Sequence, residues 1–364
     1  MFDLKKQLLK LYSVSVLGNL SLTGAWVAIL AARGFSLVEI GFAETCYHIS
    51  KLILEIPSGV LADVLGRKKT LVVSTLIRIV ANLTMILSGS LFTVCLSIAG
   101  HASADSFCSG SDSALAYDSM KAAGEEKRYD RYESAQMIIY RLCEGISTLC
   151  AGFALILGYR TAYAAGIVSC AIQTVILLTL KEIRTGENTE KHTDSLMKKI
   201  KDCVCESAGF MIREKSAFRL MLCNAFVGAV DILLAFFLQA RLTEAGIDEK
   251  LLGPALFIMQ MGGIIGARGI LKLKKTSYSV IFVAAVSGVI GGVLLEHTGI
   301  ALLMTAGGFI AALADDALQV RTNTRLQGMF PSDRRATLIS MDSFTFSVVM
   351  IILSPLAGWF FSVW

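Results

Sequence analysis

Apolar residues come in long runs along this chain, and short polar or basic stretches separate the runs. A helix of about 20 apolar residues crosses the hydrocarbon layer of a membrane. Because the chain has only four prolines and no alternating strand pattern in these runs, helices rather than a barrel are predicted. Eleven runs each predict a membrane-spanning helix, near 9–32, 37–61, 70–88, 92–117, 133–157, 161–180, 216–240, 251–270, 277–295, 299–322 and 336–362.

Composition and charge agree with a polytopic, all-α membrane protein. Hydrophobic residues make up 54% of the 364 positions, more than a soluble core needs. With the N-terminus in the cytoplasm, 25 of the 34 Lys and Arg residues fall in cytoplasmic segments, as the positive-inside rule requires. We therefore expect a multi-pass protein of the cell membrane, and its net charge of +5 reports orientation in the bilayer rather than nucleic-acid binding.

A polar segment at 182–215 divides the chain, because it is too charged to enter lipid. The predicted domains are an N-terminal bundle of six helices at 1–181, a cytoplasmic linker at 182–215 and a C-terminal bundle of five helices at 216–364. Small residues at Gly262, Gly263 and Gly266 in the eighth run predict close helix packing rather than a nucleotide-binding loop.

The turn between the second and third runs carries the most specific motif. It follows the pattern G-x-L-A-D-x-x-G-R-K, in Gly59-Val60-Leu61-Ala62-Asp63-Val64-Leu65-Gly66-Arg67-Lys68. Gly59 would permit a close helix approach and Gly66 would permit the turn. The pattern resembles the loop between spans two and three of the major facilitator superfamily of secondary transporters. The resemblance implies two bundles around a midplane cavity, and a conformational latch in which Asp63 meets the start of span eleven and Arg67 pairs with Asp118.

The chain departs from the resembled family in two respects. The sequence reaches Trp364 within or just after the eleventh run, whereas the family usually has twelve spans. Either the product is truncated or the twelfth helix, which does not line the cavity, is dispensable. The fifth run also lacks the Gly-Pro signature of many drug exporters, so proton antiport of drugs is compatible with the sequence but not marked by it.

Four ionisable residues of the second run share one helical face. Glu44, His48, Lys51 and Glu55 advance by four, three and four positions, which keeps them within one narrow stripe. The stripe is interpreted either as a self-neutralising ion ladder or as a relay in which Glu44 or His48 titrates, and the ladder is favoured because buried charges are normally paired.

Further ionisable residues lie inside other runs, where they are costly unless they face water or a partner. Asp105, Ser109 and Asp112 in the fourth run share one helical stripe, which predicts a cation or proton site, and one of the two aspartates is expected to pair with Arg141 of the fifth run. The candidates for substrate or proton coupling are Glu44, His48, Glu55, Asp105, Asp112, Arg141, Glu144, Asp231 and Asp315.

The sequence gives little support to the hypothesis that the protein is an enzyme. No GxxxxGK[ST] motif is present, the four histidines have no triad-like neighbours, and the nine cysteines are scattered, so no cofactor, metal or disulfide is predicted. We expect a monomeric secondary transporter in the lipid bilayer, coupled to protons or another ion. Efflux of small amphipathic compounds is favoured; the alternatives are a solute uptake permease and a truncated, non-transporting membrane protein.

Overall fold

A computed structural model describes residues 3–183, 214–273, 275–329 and 335–363, and this part of the chain is helical without strands. Most of the predicted linker lies outside the described residues. The α-helices of the described part, numbered α1 to α14 in chain order, are Leu4–Asn19, Trp26–Ala32, Leu37–Leu65, Arg67–Leu87, Leu91–Cys108, Ser111–Ala122, Tyr129–Leu149, Ala151–Leu157, Tyr159–Leu178, Lys215–Glu244, Glu249–Gly269, Tyr278–Glu296, Ala301–Met329 and Arg335–Val363.

Local sequence signals explain where several helices begin. Asp3 accepts a hydrogen bond from the backbone N–H of Lys6 at the start of α1. Ser90 and Thr93 form a reciprocal capping box at the start of α5, and Asp248 accepts from the N–H of Lys250 at the start of α11. These side chains satisfy backbone donors that have no partner in the first helical turn.

The helices follow the predicted runs, with breaks that the runs did not show. The first run is divided into α1 and α2 by residues 20–25. The fourth is divided into α5 and α6 at Gly110, whose φ of +72° lies in the left-handed region that glycine adopts at low cost. The fifth is bent by 46° between α7, which continues the 3₁₀ turn Glu126–Arg128, and α8.

Eight helical segments of the described part are long and apolar enough to cross a membrane, or nine if the bent pair counts as one span. The predicted total of eleven is therefore not confirmed by length and hydropathy. α1 and α2 are individually short, with 16 and 7 residues. α3 has 29 residues, but its stripe of ionisable side chains interrupts the apolar run.

The chain forms two compact units. The first comprises residues 1–24, 46–147 and 157–202, and the second comprises 25–45, 148–156 and 203–364. Two short stretches of the first half, 25–45 and 148–156, belong to the second unit, and the predicted domain boundaries at 182–215 stay a prediction.

The first unit is built around α4, which packs against α5, α6 and α9, while α1 packs against α9 and α6. A buried apolar cluster fills one end of this unit and includes Leu11, Leu71, Leu115, Tyr132 and Leu177. Large apolar side chains such as Leu87 and Phe92 are about three-quarters exposed, as lipid-facing positions would be.

The second unit is centred on α13, which packs against α10, α11 and α12. The predicted packing role of the glycines in α11 is confirmed. A Cβ added to Gly262 or Gly266 would lie 2.1 Å or 2.0 Å from a backbone oxygen of α13, of Phe309 and Leu313 respectively. Only glycine permits this approach, which places two helix backbones almost in contact.

Two stretches of the first half, 25–45 and 148–156, meet second-half helices through similarly tight contacts. An added Cβ at Gly41 would lie 2.3 Å from the carbonyl oxygen of Ser354, and one at Gly358 would lie 2.3 Å from that of Leu37. The Thr45 hydroxyl shares its hydrogen between the backbone oxygens of Gly41 at 3.1 Å and Ile351 at 3.3 Å. We call the contacts of Gly41, Gly358 and Thr45, which join α3 to α14, the end contacts of the second unit.

Candidate functional site

The motif between α3 and α4 is a single-residue turn rather than a loop. α3 continues to Leu65 and α4 begins at Arg67, so only Gly66, with φ of +100°, separates them. The expected close approach at Gly59 is not seen, because no described atom lies within 4 Å of a Cβ built on that residue. Asp63 lies in the last turn of α3, and its latch role stays a prediction.

Arg67 lies beside Asp118, as the resemblance implied. The Arg67 Nε and Asp118 Oδ2 atoms are 3.1 Å apart, and the two side chains are 21% and 10% exposed. The pair joins the start of α4 to the last turns of α6. It is a partly buried ion pair, which solvent and salt screen less than an exposed pair.

Glu182 completes this cluster, and the sequence analysis missed it. Its carboxylate accepts hydrogen bonds from the backbone N–H groups of Arg67 and Lys68, both at 2.9 Å. A Cβ on Gly66 would lie 2.9 Å from the same carboxylate. Glu182 therefore caps α4 and compensates its positive end. The signal available was an acidic residue directly after the sixth run, on the same predicted side of the membrane.

The ionisable stripe of α3 is only partly enclosed. Glu44 and His48 are buried, with 8% and 6% exposure, whereas Lys51 and Glu55 are half-buried. Tyr47, next to His48, extends its hydroxyl towards α5. Whether the stripe is an ion ladder or a relay stays a prediction.

Asp105 pairs with Arg78 of α4, not with Arg141. The Arg78 Nη2 and Asp105 Oδ1 atoms are 2.5 Å apart, and the Tyr47 hydroxyl donates to Asp105 Oδ2 at 2.8 Å. Arg141 instead bonds Glu144 on its own helix at 3.1 Å and is 67% exposed. The physical reason is that α4 packs directly on α5. Arg78 was not among the residues predicted from the sequence.

Asp112 lies on a different helix from Asp105, which corrects the single polar stripe expected over the fourth run. Ser109 ends α5, Gly110 turns the chain, and Asp112 falls in the first turn of α6. The two aspartates nevertheless line one cavity of about 480 Å³ in the first unit. This cavity also includes Arg78 and His101, and residues of α1, α7 and α9.

The second unit contains a separate group of carboxylates. Asp231 of α10 has Asp315 and Asp316 of α13 as its charged neighbours. Asp315 is only 6% exposed, lies against Gly228, and has a buried Oδ1 atom with no hydrogen-bond partner among the described residues. Asn224, two helical turns before Asp231, also has a buried Oδ1 atom without a hydrogen-bond partner in the described part of the chain. The arrangement concentrates oxygen acceptors in an apolar bundle.

Buried ionisable side chains among apolar, lipid-length helices place this protein in the class of polytopic membrane proteins with a polar functional interior. The chain belongs to the Major Facilitator Superfamily, whose family model matches residues 9–314. The resemblance found in the turn motif is therefore confirmed.

Individual relatives are distant. The chain is 23% identical over 343 residues to an uncharacterized MFS-type transporter, YxaM, of Bacillus subtilis (strain 168), covering 91% of this chain and 84% of that protein. The nucleoside transporter NupG superposes with a TM-score of 0.70 and 16% identity over 100% of this chain and 92% of NupG. A D-xylose-proton symporter superposes with a TM-score of 0.60 and 13% identity over 99% and 87%. At such identities the two structures show the shared fold.

Proposed function

We propose that this protein is a proton-coupled secondary transporter that moves a small solute across the cell membrane by alternating access. The observation that carries the proposal is Asp315, a buried carboxylate with an unpartnered oxygen and with Asp231 beside it. Such a group is costly in an apolar bundle unless it binds a proton or another cation. Proton uptake and release at this pair would couple the gradient to the conformational cycle.

The contacts at the start of α4 and the end contacts between α3 and α14 support the proposed alternating-access cycle. The Arg67–Asp118 pair and the Glu182 cap fix the start of α4, while the end contacts hold α3 against α14. At the glycines of these contacts the two helix backbones meet without a large side chain between them, so the helix surfaces could separate as rigid bodies. Alternating access would require the end contacts to form and break in each cycle.

Uptake by symport is our preferred direction, although the sequence favoured efflux of amphipathic compounds. The support comes from two structural neighbours, a nucleoside transporter and a D-xylose-proton symporter. The inward proton gradient and membrane potential would drive such uptake, since each charge moved across 100 mV contributes about 2.3 kcal/mol.

The test is transport in proteoliposomes with an imposed pH gradient and radiolabelled uridine, D-xylose and ethidium as probes. We expect the wild type to accumulate one neutral probe when the outside is acidic. Asp315→Asn should retain exchange of that probe at equal concentrations but lose accumulation, because exchange needs no net proton movement. Glu249→Gln, an exposed carboxylate of α11, is the control and should accumulate normally.

Two results would contradict the proposal. One is accumulation by Asp315→Asn at the wild-type level. The other is ethidium extrusion against the gradient with no movement of either neutral probe, which would restore the efflux interpretation.

A further inference from the structure

A groove between the first turns of α1 and α7 combines cationic and apolar side chains at one end of the first unit. Its volume is about 540 Å³, and it shares no lining residue with the interior cavity of that unit. The rim includes Lys5, Leu9, Arg128, Arg131 and Ile138. We propose that this groove binds one anionic phospholipid, whose phosphate lies among the cations and whose acyl chain follows α7. This lipid site is independent of the proposed transport.

The cations of the rim are poorly neutralised by the protein itself. The side chains of Lys5 on α1 and Arg131 on α7 have no ion-pair or hydrogen-bond partner among the described residues. Arg128, the third cation, pairs with Glu125 three positions earlier. Because both members of that pair are exposed, water screens it, and the guanidinium keeps N–H groups for another anion. The described rim therefore presents an excess of positive charge.

Tyr12 adds a neutral hydrogen-bond donor to the lining of the groove. Its charged neighbours are Arg131 and Arg128, which are both cations. Its ring packs on the buried ring of Tyr132, with the two centroids 5.1 Å apart, and this contact holds Tyr12 beside the guanidinium groups. A phosphodiester has one negative charge and several acceptor oxygens, so it can receive hydrogen bonds from guanidinium groups and from a phenol at once.

An exposed apolar stripe runs along α7 from the cationic end of the groove. Its members are Ile138, Leu142, Ile146 and Leu149, which are between 42% and 62% exposed. They advance by four, four and three positions and so share one helical face, and Arg131 lies on that face two turns before Ile138. At the helical rise per residue the stripe is about 16 Å long. This length is roughly half of the hydrocarbon layer, which is about 30 Å thick, and it matches the depth of one leaflet.

The charge and the apolar surface of the groove disfavour two other occupants. A zwitterionic phospholipid carries its own ammonium group, which the cations of the rim would repel. A free phosphate ion would meet the cations but would not cover Leu9, which is 66% exposed. Basic clusters beside membrane helices attract the anionic lipids of the cytoplasmic leaflet, and the N-terminal end of α1 is the predicted cytoplasmic end.

The experiment measures lipid binding to the purified full-length protein in detergent by native mass spectrometry. The probes are dioleoylphosphatidylglycerol, dioleoylphosphatidylcholine with the same chains, and glycerol 3-phosphate with no chain. We expect the first bound phosphatidylglycerol to have a Kd at least about tenfold below that of phosphatidylcholine, and glycerol 3-phosphate not to bind at millimolar concentrations. Lys5→Gln/Arg131→Gln should remove this preference. Lys5→Arg/Arg131→Lys should retain it, because both positive charges stay.

The matched control is Lys6→Gln/Lys127→Gln, which also removes two exposed cations at this end of the unit. The Lys6 ammonium lies 3.7 Å from the Asp3 carboxylate, and neither Lys6 nor Lys127 lines the groove. The control variant should therefore keep the preference for phosphatidylglycerol, although its net charge equals that of Lys5→Gln/Arg131→Gln.

Equal affinity of the wild type for the two lipids would overturn the lipid site, and this comparison needs no variant to fold. An undiminished preference in Lys5→Gln/Arg131→Gln would also overturn it, as would an equal loss of preference in the control variant. Binding of glycerol 3-phosphate as tightly as the anionic lipid would show that the ligand is a soluble phosphate. Because no gradient is imposed, none of these outcomes depends on whether the protein transports a solute.

Discussion

At the scale of single residues, the Arg78–Asp105 ion pair neutralises two opposite charges between α4 and α5 of the first unit. Its atoms are 2.5 Å apart, and Tyr47 satisfies the second carboxylate oxygen. Because the guanidinium is 20% exposed and the carboxylate 39% exposed, Arg78→Met should lower the free energy of unfolding by about 1–2 kcal/mol. The double variant Arg78→Met/Asp105→Leu should lose less than the sum of the single variants. Denaturant unfolding in mixed micelles measures the four states of this cycle.

The matched control is the Arg128–Glu125 pair, which is also between oppositely charged side chains but is 50% and 42% exposed. Its cycle should give a coupling energy of about 0–1 kcal/mol, because water screens exposed pairs. Arg78 and Asp105 are 20% and 39% exposed, so the two pairs differ mainly in the burial of the arginine, and equal coupling would show that this burial adds nothing to the pair.

At the scale of helices, Glu182 stabilises the beginning of α4 from a distant point in the chain. Glu182→Ala removes both acceptors of the Arg67 and Lys68 N–H groups and should destabilise the protein by about 1–2 kcal/mol. Thermal unfolding in detergent measures the loss, and the exposed residue Glu126, changed to Ala, is the control. A melting temperature for Glu182→Ala equal to that of the control would show that the cap contributes nothing.

Helices were largely predictable from the sequence, but their breaks and partners were not. Each apolar run became helical because a lipid-length apolar segment has no other way to satisfy its backbone. The breaks near residues 20–25 and at Gly110 were missed because hydropathy does not report backbone dihedral angles. Arg78 and Glu182 were missed as partners because their contacts span 27 and 115 positions of sequence, which helical spacing does not register.

At the scale of the whole molecule, the end contacts of the second unit should control the conformational cycle. Gly41→Leu places a side chain against the Ser354 carbonyl, where even a Cβ would be 2.3 Å away, so α3 and α14 must separate. We expect a loss of stability of about 1–3 kcal/mol and slower gradient-driven transport. We also expect greater acrylamide quenching of Trp26, whose ring lies 5.6 Å from that of Phe236 in the same unit. The quenching is measured with Trp359 and Trp364 changed to Phe.

Gly291→Leu is the control for this prediction, because no described atom lies within 4 Å of a Cβ at Gly291. It should leave quenching and transport unchanged. If Gly41→Leu behaved in the same way, the close approach of α3 and α14 would have no part in the cycle.

Pro355 leaves the backbone oxygen of Ile351 dependent on a hydrogen-bond donor from outside α14. Proline has no N–H, so the carbonyl four positions earlier in α14, that of Ile351, has no helical donor. The single hydroxyl hydrogen of Thr45 in α3 is shared between the Gly41 oxygen at 3.1 Å and the Ile351 oxygen at 3.3 Å, so Thr45 supplies part of the missing donor. Separating α3 from α14 would remove the Thr45 hydroxyl from the Ile351 oxygen, and lipid chains contain no hydrogen-bond donor to replace it. When α3 and α14 separate, water must therefore enter the space between them to hydrogen-bond the Ile351 oxygen.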